Sequence, residues 1–260
     1  MPPMFDTHVN LHADAFADDL DEVLDRARAA GVRRFLAICD RFDNFPAVRA
    51  IAERAPDIWC TAGVHPHHTT DFPTLDSDML IAAADHPRVV AIGETGLDDY
   101  YRHSPMDVQV ASLRTHIAAA RATGLPVILH LRDADDLAMP VLREEYQKGA
   151  FVPLLHCYTG GADLAALGVE LGGFVSVSGI LSFKNAKEVR EVIAGVPMDR
   201  LILETDCPYL APVPMRGRRN EPAFLKHVGE ALAALKSLPL EEVLTRTEDN
   251  ALQLFHRVSP

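Results

Sequence analysis

Four short apolar runs in this chain end at a residue able to ligate a divalent metal: Glu94 in VVAIGETG, His130 in LPVILH, His156 in FVPLLHCY and Asp206 in LILETD. A further segment, MFDTHVNLH, adds His8 near the N-terminus. Imidazole nitrogens and carboxylate oxygens are the donors that hard-to-borderline divalent cations prefer, and a cation so held can activate water for hydrolysis. A lone histidine at a strand end reads as a hydrogen-bonded core residue. Three of them in acidic company read as ligands. Along a strand, residues i and i+2 share a face, which groups Asp6, His8, Asn10 and His12, and separately Glu204 with Asp206. Two inward carboxylates repel unless a metal or proton intervenes, so Glu204 is expected to orient a ligand or water beside Asp206.

The elements that must gather these residues are legible in the same runs. Short apolar stretches bounded by Gly, Pro and polar clusters read as buried parallel strands. They fall near Met4–His8, Arg34–Cys39, Ile58–Val64, Val89–Gly93, Pro126–His130, Val152–Cys157, Phe174–Ser178 and Leu201–Asp206. Amphipathic stretches lie between them. One, Asp18 to Ala30, carries Leu20, Val23, Leu24 and Ala27 on one stripe and stops at Gly31. Another, about Asp107 to Thr123, carries Val110, Leu113, Ile117 and Ala120 and stops at Gly124. Such alternation predicts βα units, and this many favour closure into a (β/α)8 TIM barrel. A length of 260 residues suits one such barrel, so a single domain spanning residues 1–260 is expected. All strand C-terminal ends then open on one face, where residues remote in sequence converge.

Composition bounds the rest. The four cysteines, Cys39, Cys60, Cys157 and Cys207, form no CxxC pair, which argues against a thiolate zinc site and for reduced, buried thiols. No apolar stretch reaches membrane-span length and no signal-like start is present, so a cytoplasmic protein with no membrane partner is expected. A net charge of −12 argues against broad adhesion to nucleic acid but leaves room for a local basic rim. No GxGxxG or phosphate loop follows the first strand, and no organic cofactor is expected.

The segments DTHVNLH (6–12), GVHPH (63–67), AIGETGLD (91–98), HLRDA (130–134), HCYTG (156–160), ETDCPYL (204–210) and RGRRNEP (216–222) together resemble the TatD family of metal-dependent hydrolases, nearly end to end. The resemblance implies one or two divalent ions (Mg²⁺, Mn²⁺ or Zn²⁺). His8, Glu94 and Asp206 would hold the first, and Glu94, His130 and His156 the second. The family pattern on the first strand is usually His-x-His, whereas this chain reads His8-Val9-Asn10-Leu11-His12. Three readings are open: Asn10 ligates weakly through its oxygen, His12 substitutes, or the first site is partly empty.

Around that core, His65 is expected to contact a phosphate or a coordinated water, Arg132 to clamp a phosphate, and Arg216 and Arg218, with Arg219, to meet substrate from a loop over the mouth. His67 reads equally well as an ordinary loop residue. The implied activity is a deoxyribonuclease or other phosphodiesterase acting on nucleic-acid ends, with Glu94, Asp206, Glu204 and His65 at the chemistry. One alternative is an acyl or amide hydrolase, such as a D-aminoacyl-tRNA deacylase. Another is a metal-regulated binding protein with a degenerate first site.

Overall fold

The computed structural model describes residues 2–258. Where apolar residues recur at helical spacing, helices form. The first, α1 (Leu20–Ala29), buries Val23, Leu24 and Ala27. Where continuous apolar runs occur, they form strands covered on both faces, as parallel sheets require. The order is β1 (Met4–Val9), α1, β2 (Val32–Ala37), α2 (Phe45–Glu53), β3 (Ile58–Ala62), α3 (Ser77–Ala84), β4 (Val89–Asp98), α4 (Met106–Thr123) and β5 (Val127–Arg132). It continues with α5 (Asp135–Lys148), β6 (Pro153–Leu155), α6 (Ala162–Glu170), β7 (Phe174–Val177), α7 (Lys187–Gly195), β8 (Leu201–Leu203), α8 (Leu225–Lys236) and α9 (Leu240–Leu254). All pairings are parallel and sequential, from β1 through β8.

Closure comes from the segment after β8. Val9 bridges Cys207 in parallel, the Asp206 N–H donates to the His8 carbonyl at 3.0 Å, and the Asn10 N–H donates to the Cys207 carbonyl at 3.0 Å. Asp6 adds a side-chain link, accepting from the Thr205 N–H at 2.8 Å and the Thr205 hydroxyl at 2.6 Å. The chain is thus a (β/α)8 TIM barrel.

Inside it, Phe5, Leu36, Ile38, Val90, Ile128, Leu154, Phe174 and Ile202 form one apolar cluster with Trp59. Phe255 and Val258, beyond α9, join that cluster and close the end from which the strands start. Two residues further along three of these strands, His130, His156 and Glu204 share the inward face with Ile128, Leu154 and Ile202. The apolar floor therefore lies directly beneath the polar centre.

Two expectations, one from strand parity and one from where an apolar run ends, need correction. In β1, Phe5 enters the inner cluster while His8 meets Glu94, so Asp6, His8, Asn10 and His12 do not form one face. The register against β2 shifts between Asp6 and Val9, and an irregularity of that kind resets the alternation. In β4, the strand continues past Gly93 to Asp98, so Glu94 lies within a strand and not at its end. Pairing with β5 shifts between Ile92 and Thr95. Gly96 makes the renewed pairing possible: any Cβ there would sit 1.8 Å from the His130 carbonyl oxygen.

Candidate metal centre

Glu94 is only 4% exposed and faces imidazoles on both sides. Its Oε2 lies 3.3 Å from His8 Nε2, which is in turn 3.7 Å from Asp206 Oδ1. Its Oε1 lies 3.2 Å from His130 Nδ1, 3.5 Å from His156 Nε2 and 3.6 Å from His65 Nε2. One carboxylate oxygen thus lies nearest His8, which Asp206 also approaches, and the other nearest His130, His156 and His65, while His8, Glu94 and His156 bring ligand atoms within 4.8 Å of one another. The strands place these groups: β1 supplies His8, β4 Glu94 and β5 His130. His156 and Asp206 follow β6 and β8. Asp206 adopts φ +56°, a left-handed conformation that Asp tolerates better than most residues.

Outer carboxylates fix the tautomers. Glu204 lies 2.9 Å from His156 Nδ1, and Asp98 lies 3.0 Å from His130 Nε2. Each ring N–H is committed to a carboxylate, so the opposite nitrogen turns its lone pair toward Glu94. Ser176 hydrogen-bonds Glu204 and holds it in place. His65 is arranged the other way: its Nδ1 accepts from the His67 N–H at 3.1 Å, so Nε2 carries the hydrogen and aims it at the centre. Ligand-type nitrogens and a donor-type nitrogen therefore surround the same carboxylate.

Lone pairs facing carboxylate oxygens at these distances need a positive charge between them. Protons can supply it. Burial alone would lower the pKa of His8, but Glu94, Glu204 and Asp206 outweigh that and raise it to about 9. Burial likewise opposes protonation of His130, whose hydrogen bonds to Asp98 and Glu94 bring it up to about 9. Glu94, despite burial, is held well below the ordinary carboxylate range by His156, His65 and His8. His65 is pushed well down, chiefly by burial, and stays neutral. Both ring nitrogens of His8 are buried without a properly formed hydrogen bond. Its ring stacks on His156 with centroids 3.5 Å apart, an unfavourable contact for two imidazolium cations. Divalent cations answer the same need with fewer charges on the rings, and the donor set of imidazole and carboxylate fits them.

The other expected residues are distributed as follows. The Asn10 carboxamide nitrogen donates to Asp206 Oδ1 at 3.3 Å and to the Cys207 carbonyl at 3.1 Å. With acceptors on that side, the amide turns its nitrogen, not its oxygen, toward Asp206. His12 pairs instead with Asp40 at 2.9 Å. The Arg132 guanidinium lies over Tyr100 and Tyr101, 4.2 and 4.8 Å from the ring centroids. Arg216 packs over Phe183 at 3.9 Å, and Arg218 is exposed. Arg219 is tied to Asp19 at 2.6 Å and to Glu221 at 3.0 Å, bracing the loop itself. Cys157 lies near His156 and Glu204, but burial holds its thiol protonated, and it donates to Ser178 Oγ.

Asp98 was not among the expected site residues, although it shares the parity of Glu94 and Gly96 within GETGLD. It is fully buried and accepts from both His130 and His67, the latter at 2.8 Å. Only the extension of β4 beyond Gly93 brings it there.

Known proteins resemble this chain over nearly its whole length. The sequence profile of the family described as "TatD related DNase" matches residues 5–256. A Bacillus subtilis relative, "Uncharacterized metal-dependent hydrolase YabD", is 40% identical across 97% of this chain and 98% of its own. The Klebsiella pneumoniae protein "3'-5' ssDNA/RNA exonuclease TatD" is 36% identical, with 97% of each chain covered. The crystal structure of the TatD homologue YjjV from Escherichia coli K12 superposes with a TM-score of 0.90 at 28% identity, covering 99% of this chain and 98% of that one. The barrel, its buried histidine–carboxylate centre and these matches together establish that the chain belongs to the TatD family of metal-dependent hydrolases.

Proposed function

We propose that this protein is a metal-dependent phosphodiesterase that removes nucleotides from single-stranded nucleic-acid ends. The observation that carries the reading is Glu94, one oxygen of which lies nearest His8 and the other nearest His130 and His156. Under this reading His8 and Asp206 would hold one cation, His130 and His156 the other, and Glu94 would serve both. When bound, the cations supply an acidified water and neutralise charge on the phosphoryl oxygens. The chain's own residues do the rest. Glu204 and Asp98 lock the His156 and His130 rings so that ligation costs no reorientation. Neutral His65 offers its Nε2 hydrogen to a phosphoryl oxygen beside Glu94. Asn10 steadies Asp206 through its carboxamide nitrogen.

The substrate class takes support from the relatives that carry an exonuclease name. Cyclic-amide hydrolases of related barrels that use a carboxylated lysine need Lys where this chain has Glu94, which disfavours that alternative. The test is a 5′-labelled single-stranded oligonucleotide offered to metal-stripped protein, with Mg²⁺, Mn²⁺ and Zn²⁺ added back separately. A ladder shortening from the 3′ end is expected. His130→Ala should lose about one metal equivalent and nearly all hydrolysis. Full activity after exhaustive chelation would overturn the metal mechanism. Cleavage of an aminoacyl ester with no cleavage of the oligonucleotide would favour the deacylase.

A further inference from the structure

The chain has five tyrosines, and Tyr100, Tyr101 and Tyr209 are 57%, 50% and 61% exposed. Among the described residues, none of these three uses its hydroxyl in an intramolecular hydrogen bond, whereas Tyr158 is buried and donates to the Gly161 carbonyl. All three exposed rings stand at the mouth. Tyr100 and Tyr101 follow Asp98 at the end of β4, and Tyr209 follows Asp206 beyond β8. In the closed order β1 through β8, β4 and β8 lie on opposite walls.

The pair on the β4 wall is continuous with the metal centre. His130 lies 6.0 Å from His67, centroid to centroid, and His67 lies 5.4 Å from Tyr101. Tyr101 meets Tyr100 edge-on at 4.8 Å and stacks with His103 at 5.5 Å. The Tyr101 N–H donates to Asp98 Oδ1 at 2.7 Å, so the carboxylate that orients His130 also anchors the tyrosine turn. Arg132 spreads its guanidinium over both tyrosine rings and makes no ion pair among the described residues. Its donors therefore remain available to an anion, held in place by stacking.

We infer that Tyr100, Tyr101 and Arg132 form a platform on which bases of a single strand stack beside the scissile phosphate, with Tyr209 bounding the strand across the mouth. The inference rests on the phosphodiester reading and supplies its specificity. Aromatic faces accept any base, so such a wall selects unpaired nucleotides without selecting sequence, and a duplex end must fray to reach it. The acidic chain makes the point sharper. With a net charge of −12, general attraction to a polyanion is weak, and stacking must contribute much of the hold.

The test uses a single-stranded oligonucleotide carrying 2-aminopurine near its 3′ end and a fluorophore at its 5′ end. Binding is read by anisotropy on metal-chelated protein, independently of cleavage. Hydrolysis is read with metal on the same strand and on bis(p-nitrophenyl) phosphate. The wild type should quench 2-aminopurine on binding. The Tyr100→Ala, Tyr101→Ala double variant should lose the quench and bind about 10- to 100-fold more weakly. Its loss in kcat/KM on the strand should exceed that on the small ester by at least about tenfold. The double Phe variant should keep the quench and most of the affinity, since the ring faces remain. Unchanged binding and quench in the Ala variant would overturn the platform. Equal losses on both substrates with reduced metal content would also overturn it, by showing a structural role. A wild type that binds through these rings but cleaves neither phosphodiester would leave the platform standing and sink the nuclease reading. A wild type that neither binds nor cleaves the strand would sink both.

Discussion

Asp98→Asn probes how an outer carboxylate sets a metal ligand. Asp98 Oδ2 accepts from His130 Nε2 at 3.0 Å and from His67 Nε2 at 2.8 Å, in a fully buried position. An asparagine oxygen can accept only as a weaker, neutral partner, and its NH₂ group would face either both rings or the Tyr101 N–H that Oδ1 now accepts. His130 is then free to place its hydrogen on Nδ1, where it blocks ligation beside Glu94. Losing such an outer partner costs about 10- to 100-fold in metal affinity, or about 1.4–2.7 kcal/mol. A second effect runs the other way. In the metal-free protein His130 has its pKa raised to about 9, so below that pH a proton competes with the metal. At about pH 7 that competition weakens wild-type binding by roughly 100-fold. Removing the Asp98 charge relieves part of it. The variant's deficit should therefore be small near pH 7 and open to about 10- to 100-fold by about pH 9. Competition against a chromophoric chelator at several pH values measures this directly. A deficit of constant size across the range, or no deficit at the alkaline end, would refute the assigned tautomer.

Other outcomes follow from the same structure. Asn10→His replaces an amide that donates to Asp206 with a nitrogen ligand; the Mn²⁺ concentration for half-maximal rate should fall, and an unchanged value together with first-site loss in His12→Ala would make His12 the ligand. Arg218→Gln removes an exposed cation and should lower the salt slope of oligonucleotide binding by up to about 0.7 with little change in melting temperature. Arg219→Gln breaks the ties to Asp19 and Glu221 and should instead lower the melting temperature and affect large and small substrates alike. His116 is buried neutral, accepting from the Val64 N–H at 3.0 Å and donating to the Ser112 carbonyl at 2.7 Å, and burial brings its pKa down to about 4. The unfolded chain binds that proton from about pH 6.5, so stability is intact above this value and falls as pH drops toward about 4, by about 3 kcal/mol. Denaturant titrations at stepped pH should show this fall in the wild type and a flatter profile in His116→Gln.

The sequence by itself determined the barrel and the residue types at its mouth. Continuous apolar runs alternating with stripes at helical spacing admit few other packings, and Glu94, His130, His156 and Asp206 stand at fixed offsets from those runs. Glu204 was readable as a group that orients a ligand or water, because two neighbouring inward carboxylates need compensation, but that it meets the His156 ring is visible only in the structure. Three further features were decided only by the tertiary structure. The irregularity in β1 turns His8 inward although Phe5 already faces the core, since strict alternation cannot reveal an inserted residue. The extension of β4 depends on Gly96 allowing contact with the His130 carbonyl, and it alone carries Asp98 to the histidines. Asn10 and Arg132 were legible as polar groups at the site. Which atom each presents, and to which neighbour, follows from hydrogen bonds and stacking partners 31 to 197 residues away in sequence. Local pattern sets which side chains face the mouth; long-range packing sets what each one touches there.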